Sequence, residues 1–286
     1  MTSPLLSFTE VCVDFRRPGR RGQVLHAVDH VSLDIGPGET VGLVGESGSG
    51  KSTLGRAALG LVPVASGSIR YQGREISGLS PRERRSLSRD LQVVFQDPYS
   101  SLNPSMTIGD ILAEPITAHG GDRRSARSRV RELLGRVGLP SDAADRYPRQ
   151  FSGGQRQRVA IARALALDPK LVVCDEPVSA LDLSTQSTVL DLFIDIQRQT
   201  GVAYLFISHD LAVVRHISHR VAVMQGGRLL EVGEGATVTS APTHPYTERL
   251  LLASPVPDPA AQAERRAQRH RLLDAAQDPE VERSAV

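Results

Sequence analysis

Cysteine is almost missing from this sequence: Cys12 and Cys174 stand far apart, with no CxxC pair and no adjacent Cys/His cluster. That scarcity argues against a disulfide framework, a zinc site or an iron–sulfur cluster, and it suits a reducing compartment. An excess of charge of one sign is missing too. The 34 basic residues are nearly matched by 32 acidic ones, leaving a formal charge of +2, so the whole molecule has no electrostatic bias toward nucleic acid or anionic lipid. No stretch approaches the ~20 apolar residues that cross a bilayer. Met1–Val13 has neither the basic start nor the sustained apolar run of a leader. The expectation is a chain neither secreted nor membrane-spanning, still able to dock onto a membrane protein. Internal repeats and low-complexity blocks are also lacking.

What is present is ordinary globular text: 286 residues, 40% of them hydrophobic, enough for one large domain or two modest ones. Short apolar runs at Val41–Val44, Leu171–Cys174 and Tyr204–Ile207 each stop on polar residues or glycine and read as buried parallel strands. Between them, Val130, Leu133, Leu134 and Val137 recur at helical spacing, as do Val189, Leu192, Phe193 and Ile196. Strands alternating with helices predict an α/β sheet whose working loops leave the carboxyl ends of the strands. The stretch from about 98 to 150 is helical in pattern without strand signals, which predicts an inserted helical subdomain. From Ala241 the text turns Pro-rich and then Arg/Ala/Gln/Glu-rich, as expected of an appendage whose end, toward Val286, is partly disordered.

Gly45-Glu46-Ser47-Gly48-Ser49-Gly50-Lys51-Ser52 matches G-x-x-x-x-G-K-[ST] and lies between a strand-like run and a helical one that begins at Thr53. Glycines there let backbone N–H groups turn inward around phosphate oxygens, and the next helix offers its positive N-terminal end. Lys51 can reach the β- and γ-phosphates, and Ser52 can ligate Mg²⁺. An accidental Gly/Ser-rich turn is the competing reading, and the flanking strand and helix weigh against it. A dinucleotide fingerprint is a poorer match, because Thr53 stands where its third glycine would follow Gly48 and Gly50.

Asp175 and Glu176 follow four apolar residues, so both carboxylates emerge at a strand end, where a cation would offset them. Beside a phosphate loop, Asp175 reads as the Mg²⁺-side acid and Glu176 as the base that orients and deprotonates water. A turn with two solvated acids is the alternative. His209, at the end of another strand-like run, can hold the γ-phosphate and the catalytic water, or be a structural strand-end histidine. Cys174 reads as a small core residue without reactivity.

With these pieces in order, the chain resembles the ATP-binding subunits of ABC transporters from about Leu5 to Leu252. The most specific element is Phe151-Ser152-Gly153-Gly154-Gln155, which is similar to the ABC signature; its small residues and hydroxyl would open a helix from Gln155 to Leu167 toward an anion. A glycine turn that merely caps a helix is the other reading. The resemblance implies a P-loop NTPase (RecA-like) core with an inserted helical subdomain at about 98–158, a small N-terminal β-region, and a C-terminal extension at 241–286 after an ATP-binding domain at 1–240. It implies that Gln96 is the Q-loop glutamine beside Mg²⁺ and the γ-phosphate, that Ser179–Asp182 is the D-loop at a dimer interface, and that His209 is the switch histidine. Phe15 falls where an aromatic residue stacks on adenine; a strand-core aromatic is the alternative. The implied ATP is sandwiched between one subunit's phosphate loop and the other's signature, so two ATPase subunits, alike or different, are needed to close a site.

Val94–Pro104, Phe206–His216 and Thr243–Thr247 resemble the oligopeptide/dipeptide importer subfamily. That resemblance implies a peripheral ATPase on the cytoplasmic face of the inner (plasma) membrane, two membrane-spanning permease subunits and an extracytoplasmic solute-binding protein. Residues 241–286 lack the cysteine cluster that some of those relatives carry, so no iron–sulfur centre is expected. Arg265, Arg266, Arg269 and Arg271 read as a solvated helix face. The competing functions are a soluble ABC ATPase acting on nucleic acid or ribosomes and an exporter ATPase. The first lacks its usual long coiled coil or second ATPase unit and any net basic surface, and no nucleic-acid partner is expected.

Overall fold

A computed structural model describes residues 3–16, 24–97 and 101–253. Among the described residues ten strands form two sheets. The first is antiparallel, in the order β2 (Val24–Ile35), β1 (Leu6–Arg16), β4 (Ser66–Tyr71), β5 (Arg74–Glu75). The second runs β10 (Arg228–Glu234), β9 (Arg220–Gln225), β3 (Thr40–Val44), β8 (Ala203–Ser208), β7 (Leu171–Asp175), β6 (Leu91–Val94). From β9 to β6 every neighbour is parallel, and β10 pairs antiparallel at the edge. The three apolar runs expected as buried parallel strands are β3, β7 and β8.

Period-two alternation divides those strands between two cores. Val172, Cys174, Tyr204 and Phe206 face one core, which they share with Leu133, Val159, Val189 and Phe193 from the helices. Leu171, Val173, Leu205 and Ile207 face the other, with Phe8 and Ile69 of the antiparallel sheet and Leu54 of the helix Lys51–Ala58. Phe193 meets Tyr204 and Phe206 edge-on, with ring centroids 5.4 and 5.6 Å away. Burying such a ring contributes roughly 1.5–3 kcal/mol. Cys174 is fully inside, and burial pushes its thiol up, so it stays neutral as a core residue.

Between β6 and β7 the described residues are helical: Ile108–Ala118, Arg123–Arg136, two 3₁₀ turns at Ser141–Asp145 and Pro148–Gln150, and Gly153–Ala164. Thr107 and Asp122 cap the first two, each accepting backbone N–H bonds of the opening turn. The long helix Leu183–Thr200 buries Val189, Leu190, Phe193 and Ile196, and Leu192 packs half-buried against the same core. Beyond Ala241 the chain does not leave the fold at once. The helix Pro245–Ala253 packs back with Tyr246 only 3% exposed, whereas residues 254–286, including the arginines of the tail, lie outside the described residues. Among the described residues no helix is long and apolar enough to cross a membrane.

Candidate active site

Strand register places the site. Val44 pairs with Ser208, Asp175 with Ile207, and Val94 with Cys174, so the segments after β3, β8, β7 and β6 leave the sheet along one edge. Residues distant in sequence, Gly45–Ser52, His209, Asp175–Glu176 and Gln96, therefore emerge side by side.

The phosphate loop needs its glycines for close approach. A Cβ on Gly45 would lie 2.0 Å from the Met224 carbonyl oxygen, and one on Gly50, at φ 103°, would lie 2.1 Å from that of Ala27. The loop opens directly into the helix Lys51–Ala58, two residues earlier than the sequence pattern suggested, with Gly50 as its N-cap. Glu46 and Ser47 are exposed at the mouth, Ser49 is buried, Gly48 is open, and Thr53 sits in the first turn. Lys51 is 4% exposed, and its ammonium donates to the carbonyls of Gly45 (2.7 Å) and Glu46 (2.8 Å). Burial pushes Lys51 below the usual lysine range, while the carboxylates of Glu176, Asp175 and Glu46 pull it back up. The ammonium is thus a buried charge held by carbonyl dipoles, which anionic phosphate oxygens can replace.

Ser52 Oγ donates to Asp175 Oδ1 at 2.6 Å, and the Arg56 guanidinium lies 3.7 Å from Asp175 Oδ2. Arg56 belongs to no motif of the sequence, although it stands one helical turn after Ser52 on the same face. Glu176, one residue past the strand, sits at φ 49°, a left-handed conformation costly for a residue with a Cβ. Its backbone N–H donates to Ile207 O at 3.0 Å, and the Ser179 hydroxyl donates to its carbonyl at 3.0 Å. The strained turn aims the carboxylate across the strand ends. Glu176 Oε2 accepts from Gln96 Nε2 at 3.3 Å and meets His209 Nδ1 at 3.1 Å. Because an ionised carboxylate only accepts, the contact places the His209 proton on Nδ1.

Ser152–Gln155 is built separately. Ser152 Oγ accepts from Gln155 N–H (3.3 Å) and Gln155 Oε1 from Ser152 N–H (3.0 Å), a capping box opening the helix Gly153–Ala164. That cap starts the helix two residues before the expected Gln155, and the helix ends at Ala164, three residues before the expected Leu167. Gly154 is buried where a Cβ would come 2.2 Å from Thr185 Cγ2, so the helix packs closely on the start of Leu183–Thr200. Asp182 caps that latter helix, accepting from Ser184 Oγ (2.6 Å), Thr185 N–H (3.0 Å) and Thr185 Oγ1 (2.7 Å). Among the described residues no hydrogen bond or ion pair joins Ser152–Gln155 or Asp182 to Lys51, Asp175, Glu176 or His209. Phe15 is 39% exposed near the end of β1 and pairs with Leu25, itself exposed, so it is not a core aromatic. Of the Arg-rich loop after it, residues 17–23 lie outside the described residues.

One gathering has no linear signature. Ligand atoms of Cys12, Asp29 and His30 lie within 4.8 Å of one another where β1 and β2 pair, although the sequence shows no Cys/His cluster. The Arg228 guanidinium already engages Asp29 at 2.6 Å.

A family model for "ABC transporter" matches residues 28–179, more than half of the chain. The chain belongs to the ABC transporter family. This ABC chain is 55% identical over 243 residues to the glutathione import ATP-binding protein GsiA of Escherichia coli (strain K12) and equally to that of Shigella flexneri. Each match covers 85% of this chain and 39% of the relative, so the chain spans about two fifths of the length of these curated relatives. Among solved structures, the ABC chain is similar to cbiO1 of Clostridium perfringens, part of the ABC transporter complex cbiONQ, with a TM-score of 0.74 and 27% identity over 84% of this chain and 92% of that one. A dimeric post-hydrolysis state of the ATP-binding cassette MJ0796 bound to ADP and phosphate matches with a TM-score of 0.72 and 28% identity, covering 80% of this chain and 98% of that one. The P-loop NTPase core expected of an ABC subunit is the fold that these neighbours share.

Proposed function

We propose that this ABC chain is the ATP-hydrolysing subunit of an importer for small peptides or related solutes. The observation that carries the reading is one carboxylate, Glu176, held by Gln96 and His209 beside the Ser52–Asp175 pair and the buried Lys51. The phosphate loop from Gly45 to Thr53 cradles the triphosphate, and Phe15 offers its exposed ring to adenine. Lys51 leaves the loop carbonyls for the β- and γ-phosphates.

The hydroxyl of Ser52 and the carboxylate of Asp175 are adjacent hard oxygen donors, the type of set that holds Mg²⁺, with Gln96 at its edge. Mg²⁺ held by Ser52 and Asp175 would offset the negative charge that builds on the phosphate oxygens. Glu176 keeps Oε2 for Gln96 and His209, which leaves Oε1 to accept the proton of the attacking water. His209 and Gln96 fix where that carboxylate points.

Ser152, Gly153, Gly154 and Gln155, with Asp182, form the second half-site, which serves the phosphate loop of a partner ATPase subunit. Closure brings a helix N-terminus to the γ-phosphate, so ATP joins the pair and hydrolysis releases it. Two permease subunits in the membrane carry the solute, an extracytoplasmic binding protein delivers it, and this subunit works on the cytoplasmic face. The chain keeps its ATP-binding domain within 1–240, helical subdomain about 98–158, and its extension at 241–286. The relatives named for glutathione import support a peptide of that size as cargo.

The test is uptake in sealed vesicles carrying the assembled transporter, with ATP supplied to the face that bears this subunit. Labelled tripeptide should cross with ATP and stop crossing with Lys51→Ala. Transport that continues unchanged in that variant, or that occurs only in the opposite direction, overturns the proposal.

A further inference from the structure

The peptide between Gly45 and Glu46 is gripped from both sides. Its carbonyl, on Gly45, accepts from Lys51 Nζ at 2.7 Å. Its N–H, on Glu46, donates to the hydroxyl of Tyr246 at 3.2 Å, across 200 residues of sequence. Tyr246 is 3% exposed and belongs to the core that also holds Val44, the residue just before the loop. The ring is therefore a fixed post, and its hydroxyl is aimed at the entrance of the phosphate loop.

The segment carrying that post is itself anchored. Glu231 on β10 accepts from the Thr243 N–H (2.8 Å), the Thr243 hydroxyl (2.9 Å) and the His244 N–H (3.2 Å). His244 Nδ1 in turn accepts from the Tyr246 N–H at 3.1 Å. Each of these bonds lies within Thr243–Tyr246 or joins it to β10, and Tyr246 links the segment to the loop.

When nucleotide binds, Lys51 turns toward the phosphates and the Gly45 carbonyl loses its partner. A peptide with neither end held can rotate, and a rotated Gly45–Glu46 unit would point a carbonyl dipole where anionic oxygens must sit. We infer that Tyr246 is a positioning residue for ATP binding: its hydroxyl holds the Gly45–Glu46 peptide in the phosphate-accepting orientation after Lys51 lets go, so the C-terminal segment forms part of the nucleotide site. The inference rests on the phosphate-loop reading above. Tyr246 touches no reacting atom, so its effect falls on affinity and not on the chemical step.

The experiment uses the full chain and the non-hydrolysed analogue Mg-AMP-PNP in calorimetric titration, with steady-state ATPase alongside. Tyr246→Phe keeps the ring and deletes the hydroxyl. It should raise the dissociation constant about fivefold, the scale of one neutral hydrogen bond, and raise KM likewise with kcat within about twofold. Glu231→Gln, which loosens the anchor without touching the loop, should shift affinity in the same direction. A merely structural role would lower melting temperature and leave the affinity of the folded protein unchanged; that outcome overturns the inference. Lys51→Ala separates the two ideas. Lost binding in Lys51→Ala with unchanged binding in Tyr246→Phe sinks the Tyr246 role alone, and unchanged binding in Lys51→Ala sinks the phosphate-loop reading beneath it. Should Tyr246→Phe fail to fold, hydrogen exchange in the wild-type protein decides: the Glu46 amide should be protected with AMP-PNP bound and exchange faster in Glu231→Gln, and an unprotected amide in the wild type rejects the inference.

Discussion

Replacing Glu176 by glutamine should abolish most ATP hydrolysis while leaving ATP bound. The substitution is nearly isosteric, and the geometry says which atom goes where. Oε2 of Glu176 accepts from Gln96 at 3.3 Å and from His209 at 3.1 Å, so the amide oxygen of the new side chain takes that position and keeps both bonds. The amide nitrogen then occupies the place of Oε1, where it cannot accept a proton from water. Nothing else in the loop is disturbed, because the strained turn at Glu176 is held by backbone bonds to Ile207 and Ser179. General-base catalysis is worth about 10²–10⁴ in rate, which at ~1.36 kcal/mol per tenfold corresponds to roughly 2.7–5.4 kcal/mol of barrier. Affinity should change by less than about threefold if, as proposed, the Gly45–Ser52 loop and Lys51 carry the binding. Single-turnover hydrolysis of labelled ATP measures the first quantity and equilibrium titration the second. Size-exclusion chromatography with MgATP should show an accumulated dimer. Turnover near the wild-type rate would refute the assignment of the base, and loss of binding would refute the separation of binding from chemistry.

Gly154→Ala should destabilise the protein by about 1–3 kcal/mol, the usual cost of overpacking, because the new methyl meets Thr185 Cγ2 at 2.2 Å. Thr185→Ser removes that methyl but keeps the hydroxyl that bonds Asp182, so the double variant should regain most of the loss in urea unfolding; strictly additive effects would contradict the contact. Hydrogen bonds from Ser184 and Thr185 hold the Asp182 carboxyl well below its usual range, so its contribution is full above the unfolded value of about 3.9 and is lost as pH falls through the folded one. Melting temperatures of wild type and Asp182→Asn should therefore differ most above about pH 5 and converge in stronger acid; a gap that ignores pH would remove the carboxylate from its capping role.

Local features were legible because their physics is local. Spaced glycines mark the turn that opens the helix at Lys51, an apolar run marks the strand that ends at Asp175, and a hydroxyl three residues ahead of Gln155 marks the capped helix at Gly153. Boundaries slipped where a cap outranked periodicity: Ser152 starts its helix at Gly153, and Gly50 starts the phosphate-loop helix at Lys51. Phe15 could be read as core or as exposed stack, since an aromatic residue in a strand fits either face until the partner strand is known.

Sequence by itself determined the family and the residues proposed for the chemistry: the Gly45–Ser52 loop for phosphate, and Asp175 and Glu176 for metal and water. Only the tertiary structure decided which parts meet. Parallel register brings Gln96, Glu176 and His209 to one oxygen, whereas Ser152–Gln155 stands apart with its hydrogen bonds closed on itself. It also brought Tyr246 to Glu46 and Cys12 to His30, contacts for which no spacing in the chain is a sign. The physical reason is the reach of each interaction: a turn or cap is settled within a few residues, but a contact across 200 residues exists only after two sheets and their cores have packed.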